Sequence, residues 1–331
     1  VDEEILRLLR EHPSDFLSGE EISRRLKVSR TSVWKKIECL RALGYQIESS
    51  TRSGYHLIKS PDLLTPSEVK PILKTKWMGK TIHYFPLVDS TNSKACQLAL
   101  QDAEEGEVVI AESQRNGRGR LGRSWFSPPF LNLYLSIILR PKIPPHQAPL
   151  ITLMAAVATA EAIRKFSDLT PSIKWPNDIL LRDRKIAGLL NEIQSEMDRV
   201  HFVILGIGVN LNMDAKMFSK EIRNVATSLK RETGRMISRK DYIQTLLQEL
   251  EDWYTIFLKE GSVPVLEAWR ERAQIKGKPV KVTSFGEPLF GVAADIDSDG
   301  ALILETKNGE RRRVVAGDIE YKSQNENSIT G

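Results

Sequence analysis

The sequence predicts a mixed α+β protein built in three successive parts. Three observations carry that expectation. Residues 1–60 hold short amphipathic helical segments followed by a basic hairpin. Residues 67–270 alternate strand-like and helix-like segments, and residues 271–322 break into brief strands separated by turns such as "SDG" and "NGE". The 331 residues are 41% hydrophobic and 27% charged, an ordinary globular composition with ample apolar material for a core.

Charge is uneven along the chain. The net charge of +5 forces no bulk polyelectrolyte partner. Yet residues 21–60 hold nine Lys/Arg against three Asp/Glu, which points to one anion-binding face. Cys39 and Cys96 fall in different parts, so no disulfide framework or cysteine metal site is readable. The start is acidic and lacks an apolar signal segment. The most apolar stretch, 150–163, contains Thr152, Thr159 and Glu161 and is shorter than the roughly 20 residues of a membrane span. A cytoplasmic protein with no membrane partner is expected.

In the first part, Ile5, Leu6, Leu8 and Leu9 form an apolar helical face that ends near His12-Pro13. Ser18 and Glu21 have capping-box spacing and start a second helix with Ile22 and Leu26 inward. After the turn "KVS", Ser29 caps a third helix with Val33, Ile37 and Leu40 inward, and Gly44 stops it. Two alternating segments at 45–48 and 55–58, joined through Arg52-Ser53-Gly54, make a wing. The result is a winged helix-turn-helix. Arg30, Thr31, Ser32, Lys35 and Lys36 on the outer face, with Arg52 in the wing, are the expected DNA contacts. Such a domain usually binds as a dimer. "SPDLLTPSEVK" marks the linker, giving parts 1–63, 64–270 and 271–331.

The middle part reads as strands at 81–88, 106–113, 132–140, 172–181, 184–194 and 199–211, with helices at 92–101, 148–166 and 239–259. Short gaps favour antiparallel pairing among the last strands. Four polar motifs interrupt the pattern at strand ends or loops, where function tends to sit.

"DSTN" (89–92) could cap a helix, or bind a polar heterocycle or urea through Ser90, Thr91 and Asn92. "GRGRLGRSW" (117–125), preceded by Gln114, is too short and isolated for an RNA-binding Arg-Gly tract, and lacks the GK[ST] of a phosphate-binding P-loop. Its arginines suit a carboxylate or phosphate, and its glycines allow close backbone approach. "KWPND" (174–178) reads as an edge strand with a turn, or as Lys174 on phosphate and Asp178 on Mg2+ or a ribose hydroxyl, with Trp175 in the core. Lys185 and Gly188 follow it. "GIGVN" (206–210) implies close approach to a strand, with Asn210 in reach of a phosphate. None of the five histidines lies in these motifs, and no Ser/His/Asp or Cys/His nucleophile is apparent. Fixed cations with one or two carboxylates suit adenylyl or phosphoryl transfer, which needs positioning and charge neutralisation.

In order and spacing, "DSTN", "GRGRLGRSW", "KWPNDILL", "KIAGLL" and "GIGVN" resemble the biotin protein ligase family. With the winged helix in front, the chain is similar to its bifunctional bacterial form, the biotin operon repressor, over nearly all of 1–321. The resemblance implies a class II synthetase-like mixed sheet for the catalytic domain and an SH3-like β-barrel at the end. It implies that biotin and ATP form biotinyl-adenylate, which acylates one lysine of a biotin carboxyl carrier protein. Ser90, Thr91 and Gln114 would take the ureido ring, with Asn92 also in the ligand-binding set. Arg118, Gly119 and Arg120 would hold the carboxylate and then the adenylate phosphate, with Gly117 also in the ligand-binding set. Lys185 would stabilise charge there, with Gly188 and Trp125 shaping the pocket. Lys174, Asn177, Asp178 and Asn210 would serve ATP phosphates and Mg2+, Asp178 as the metal ligand. Operator DNA and a ligand-promoted homodimer complete the implied partners. A biotin sensor without ligase activity and a lipoate or octanoate transferase are the competing readings.

Overall fold

A computed structural model of the chain describes residues 2–50, 53–273, 275–283 and 287–321. The chain divides into two compact units, 1–72 and 73–331.

The first unit holds α1 (Asp2–Glu11), α2 (Gly19–Leu26), α3 (Arg30–Ala42), the antiparallel hairpin β1 (Gln46–Ser50) and β2 (Gly54–Lys59), and α4 (Pro66–Val69). Ser18 Oγ accepts the Glu21 N–H at 3.0 Å, starting α2. The Glu21 carboxylate turns to Arg24 and Arg25 instead of completing a capping box. Lys27 takes a left-handed conformation, φ 55°, and Ser29 Oγ caps α3 on the Ser32 N–H at 3.1 Å. Val33, Ile37 and Leu40 are buried with Ile5, Leu6, Leu8, Leu9 and Ile22. The wing is anchored where Tyr55 and Leu17 exchange backbone hydrogen bonds, both at 2.9 Å. The unit runs past residue 63 because Glu68 is buried in it, accepting from Tyr45 Oη at 2.6 Å and pairing with Arg10. Burial first, and then the Glu68 carboxylate, push the Tyr45 phenol above its ordinary range.

The second unit is centred on a seven-stranded sheet. Its elements are β3 (Ile82–Phe85), α5 (Thr91–Ala99), β4 (Val108–Ala111), β5 (Leu133–Leu139), α6 (Leu150–Phe166), β6 (Ser172–Lys174), β7 (Asp178–Leu181), β8 (Arg184–Ser195), β9 (Val200–Val209), α7 (Leu229–Thr233), α8 (Arg239–Glu260) and α9 (Val263–Ala273). The spatial order is β3-β4-β5-β9-β8-β7-β6, with β3–β4 parallel and every other pair antiparallel. Every residue of β5 is buried, so both faces of the sheet are covered. Ala95 and Ala99 of α5 pack on Val109, Ile138, Phe202 and Ile204. The almost wholly buried α6 packs on α8 and α9 and contacts β6, β7 and β8.

One expected strand is two. Residues 172–181 form a hairpin, β6 and β7 pairing Lys174 with Asp178 across a turn that contains the cis Trp175–Pro176 bond. A proline in a continuous ladder would remove a donor, whereas in the turn it removes none.

The chain then forms β10 (Pro279–Thr283), β11 (Leu289–Ile296), β12 (Leu302–Glu305), β13 (Arg311–Val314) and β14 (Asp318–Tyr321), a five-stranded antiparallel sheet ordered β13-β12-β11-β10-β14. Asn308-Gly309 makes a turn different from the type I′ its sequence suggests. Gly309 has φ +76° but Asn308 is not left-handed, and Gly309 N donates to Thr306 O at 2.9 Å. This is a type I turn followed by a left-handed glycine, which the one-residue-longer loop between β12 and β13 permits.

Candidate active site and DNA-binding face

The four motifs meet in a single cavity of about 400 Å³. Its floor is a face of β8 and β9 where Gly188, Gly206 and Gly208 leave little side-chain cover beside Leu190. Gly188 and Gly208 stand opposite each other in register, and the Trp125 indole lies over both. A Cβ at Gly208 would come within 2.6 Å of that ring, and one at Gly188 within 2.9 Å. A Cβ on Gly206 would overlap the Asn92 amide.

At one end is a polar network. Because β3 and β4 are parallel, the loops that follow them leave at the same edge, with Val88 bridged to Gln114. Gln114 Oε1 accepts from Thr91 N at 2.8 Å and from Thr91 Oγ1 at 3.2 Å. Gln114 Nε2 donates to Ser127 Oγ at 3.0 Å. Ser136 Oγ lies 2.8 Å from Thr91 Oγ1 and 2.6 Å from Asn92 Oδ1. Asn92 Nδ2 donates to Glu192 at 2.8 Å and to Leu190 O at 3.2 Å. Ser90 stands at the N-cap position of α5, but its side chain makes no cap bond.

The glycine-arginine loop, between β4 and β5, folds back on itself. Gly119 N donates to Arg123 O at 2.7 Å, and Trp125 N to Gly117 O at 2.8 Å. Leu121 and Gly122 turn the tip with φ 54° and 73°. Its arginines go to carboxylates far away in sequence. Arg118 reaches Glu192 at 3.2 Å. Arg120 reaches Gly317 O at 3.1 Å and Asp318 at 3.5 Å, and Arg123 reaches Asp318 at 2.7 Å. Burial lowers the Arg120 pKa from its ordinary value, against the opposing pull of Asp318 and Asp178.

The KWPND turn supplies the far wall. Lys185 Nζ pairs with Asp178 at 2.6 Å and lies 5.4 Å from the Trp125 ring centroid. Lys174 Nζ lies 5.8 Å from the Tyr321 ring centroid. Trp175 is buried, as expected, and donates from Nε1 to Gly300 O at 3.1 Å. Asn177 is buried and donates to Leu189 O at 2.6 Å, holding the turn against β8. Asn210 Oδ1 accepts from Asn132 at 3.4 Å. Beyond Asn210 the cavity turns apolar, with Met213, Phe218, Ile222, Val225 and Ala226.

Every candidate from the motifs lines this cavity except Gly117, which packs within the loop, where a Cβ would overlap Trp125 O. The motifs did not disclose Asp318 and Phe218, which line the cavity, or Glu192 and Ser136, which bond the lining residues Arg118, Thr91 and Asn92. Asp318 is a lone carboxylate far from any motif, and Glu192 lies two residues past KIAGLL, so the fold shows the part each plays. Nothing in residues 211–218, where Asn212, Asp214 and Lys216 interrupt the apolar residues, singles out Phe218. The arrangement offers a small anion several cations at once, with carboxylates beside Arg118, Arg120, Arg123 and Lys185. Among the described residues no group of three His, Cys, Asp or Glu could hold a metal alone.

On the first unit, Arg30, Thr31 and Lys35 are exposed along α3, Ser32 and Lys36 are half-buried, and Arg52 lies outside the described residues. Arg30 pairs with Glu20 of α2 at the surface. Trp34, which charge reasoning passed over, is 52% exposed on this face.

Sequence models of three known families match the chain: the biotin/lipoate A/B protein ligase family over 84–210, an HTH domain over 2–56, and the biotin protein ligase C-terminal domain over 276–321. The bifunctional ligase/repressor BirA of Bacillus spizizenii is 40% identical over 317 residues, covering 96% of this chain and 97% of its own. The Escherichia coli protein of the same description is 32% identical over 309 residues, covering 93% and 94%. Among solved structures, biotin protein ligase from Aquifex aeolicus in complex with biotin and ATP superposes with a TM-score of 0.63 at 25% identity, covering 73% of this chain and 99% of that one.

Proposed function

Because the chain belongs to the bifunctional biotin ligase/repressor family, we propose that its cavity makes biotinyl-adenylate and that its first unit carries the adenylate's signal to DNA. The chain is an ATP-dependent biotin protein ligase: biotin's carboxylate attacks the α-phosphorus of ATP, pyrophosphate leaves, and the acyl group passes to a lysine of a biotin-accepting protein. The helix-turn-helix makes it also a DNA-binding repressor. The convergence of the four motifs on one glycine-floored cavity carries this reading.

Within that cavity the ends divide by chemistry. Thr91, Gln114, Asn92 and Ser90 offer donors and acceptors for the ureido ring. Arg118, Arg120 and Lys185 converge where carboxylate and α-phosphate meet, so charge developing on phosphorus is met by groups already in place. Lys174 serves the leaving phosphates, and Asn177 and Asn210 hold the walls beside them. Phe218, Met213 and Val225 suit the purine. Mg2+ fits the donor set: it takes one or two carboxylates together with phosphate oxygens and water, and Asp178 would be the protein ligand. When bound it would neutralise phosphate charge.

The first unit, 1–72, binds operator DNA, and the second carries the ligase site, mostly on residues up to 270 with Asp318 added from β14. The acceptor is a biotin carboxyl carrier protein. Adenylate loading promotes a homodimer that grips a two-fold operator, controlling genes for biotin supply in the cytoplasm. Biotin-dependent exchange of labelled pyrophosphate into ATP tests the ligase half. Exchange is expected, with biotin and not lipoate supporting it. A folded sample that binds biotin without exchange would be a sensor only.

A further inference from the structure

We propose that Asp318, the first residue of β14, is a positioning residue for the ligase reaction: its carboxylate holds Arg120 and Arg123 and so fixes the glycine-arginine loop to the C-terminal sheet. The inference rests on the adenylating site argued above.

Asp318 is well placed for this. It begins a strand, paired with Thr283 of β10, and the next residue, Ile319, is buried in the core. Its side chain is 18% exposed and lines the cavity. Arg123 takes one carboxylate oxygen at 2.7 Å, Arg120 stands 3.5 Å from the other, and the Gly317 carbonyl accepts from Arg120 at 3.1 Å. The loop has little else at its tip. Leu121 and Gly122 are exposed there and turn through left-handed backbone. A carboxylate on a rigid strand is therefore what sets where Arg120 points.

Asp318 makes no bond in the reaction, and its effect passes through Arg120. Removing its charge leaves Arg123, which is 69% exposed, to water, while the less exposed Arg120 loses its guide. It also makes the cavity more positive, which favours binding of anionic substrates in the ground state. The signature is a fall in kcat without a rise in KM for ATP, since an interaction made only in the transition state is lost.

The test uses the full chain. Asp318→Asn is expected to lower kcat for biotin-dependent pyrophosphate exchange on the order of tenfold to a hundredfold. KM for ATP should stay level or fall, and bound biotinyl-adenylate should be lost sooner. Asp318→Glu should restore most of the rate. In a double-mutant cycle, Arg123→Ala and Asp318→Asn should be non-additive in adenylate lifetime. Trypsin should cut after Arg118 to Arg123 faster in Asp318→Asn than in the parent. Unchanged kcat and unchanged cleavage would overturn the proposal. So would a loss that tracks a lower melting temperature and is not rescued by Asp318→Glu. If the parent itself shows no exchange, the adenylating reading fails, while loop cleavage still decides whether Asp318 clamps the loop.

Discussion

The two places where cations gather are built on different plans. On α3 they stand along one face of one helix, and Arg30 finds its carboxylate on the neighbouring α2. In the glycine-arginine loop each arginine is held from a distance, by Glu192 of β8 or Asp318 of β14. DNA presents many phosphates along a line, so cations that meet it need only share a face. A single carboxylate and phosphate need cations at one point, and a flexible loop cannot supply that without counter-charges to set each side chain. The difference teaches that the tighter the required placement, the further away in sequence its determinants lie.

That contrast can be broken by substitution. The largest effect is expected for Lys185→Ala, which should reduce pyrophosphate exchange about 100- to 1,000-fold. Filter retention of duplex DNA by the ligand-free protein should be unaffected, and a matching loss of DNA binding would erase the contrast. Arg120→Gly should shorten the lifetime of bound biotinyl-adenylate about tenfold, about 1.4 kcal/mol. Mass spectrometry should then find biotin on bystander lysines, and full retention of the intermediate by this variant would refute the role.

Two smaller effects sharpen the DNA side. Trp34→Ala should cost about 1–2 kcal/mol on the preferred duplex and less on random sequence, because an exposed aromatic reaches base edges or methyl groups. Equal losses on both would make it a backbone contact. Lys35→Ala should weaken all duplexes a few-fold and lower the salt slope of log K by about 0.9. Finally, adenylate and DNA should tighten each other's binding by the same factor, measured by titration in both orders.

How much of this was legible follows from the same contrast. The first unit was readable almost residue by residue, since caps, apolar spacing and turn are local: Ser18, Ser29, Val33, Ile37 and Leu40 all sit as their spacing implies. The central sheet was readable as segments, but 172–181 reads as one strand because periodicity does not register a three-residue reversal. The site was legible wherever a motif carried it and opaque elsewhere. Nothing near Asp318 marks it as belonging to the cavity, and nothing in KIAGLL tells that Glu192, just beyond it, pairs with Arg118 and Asn92. Ser136 lies inside a fully buried strand and shows its role only beside Thr91 and Asn92. Phe218 required knowing that the chain after Asn210 folds back over the floor.

The bare floor of the cavity has a consequence for how the protein can change. Gly188, Gly206 and Gly208 are each covered by a side chain from elsewhere, Trp125 or Asn92. Every alternative to glycine carries a Cβ, so no single step away from any of these positions is small. An altered floor would require the covering residue to shrink first, and that residue faces the ligand. In a saturation library selected for activity, these three sites should be near-empty columns. Drift toward a different acyl substrate would have to begin at Trp125 or Asn92 before the strands beneath could follow.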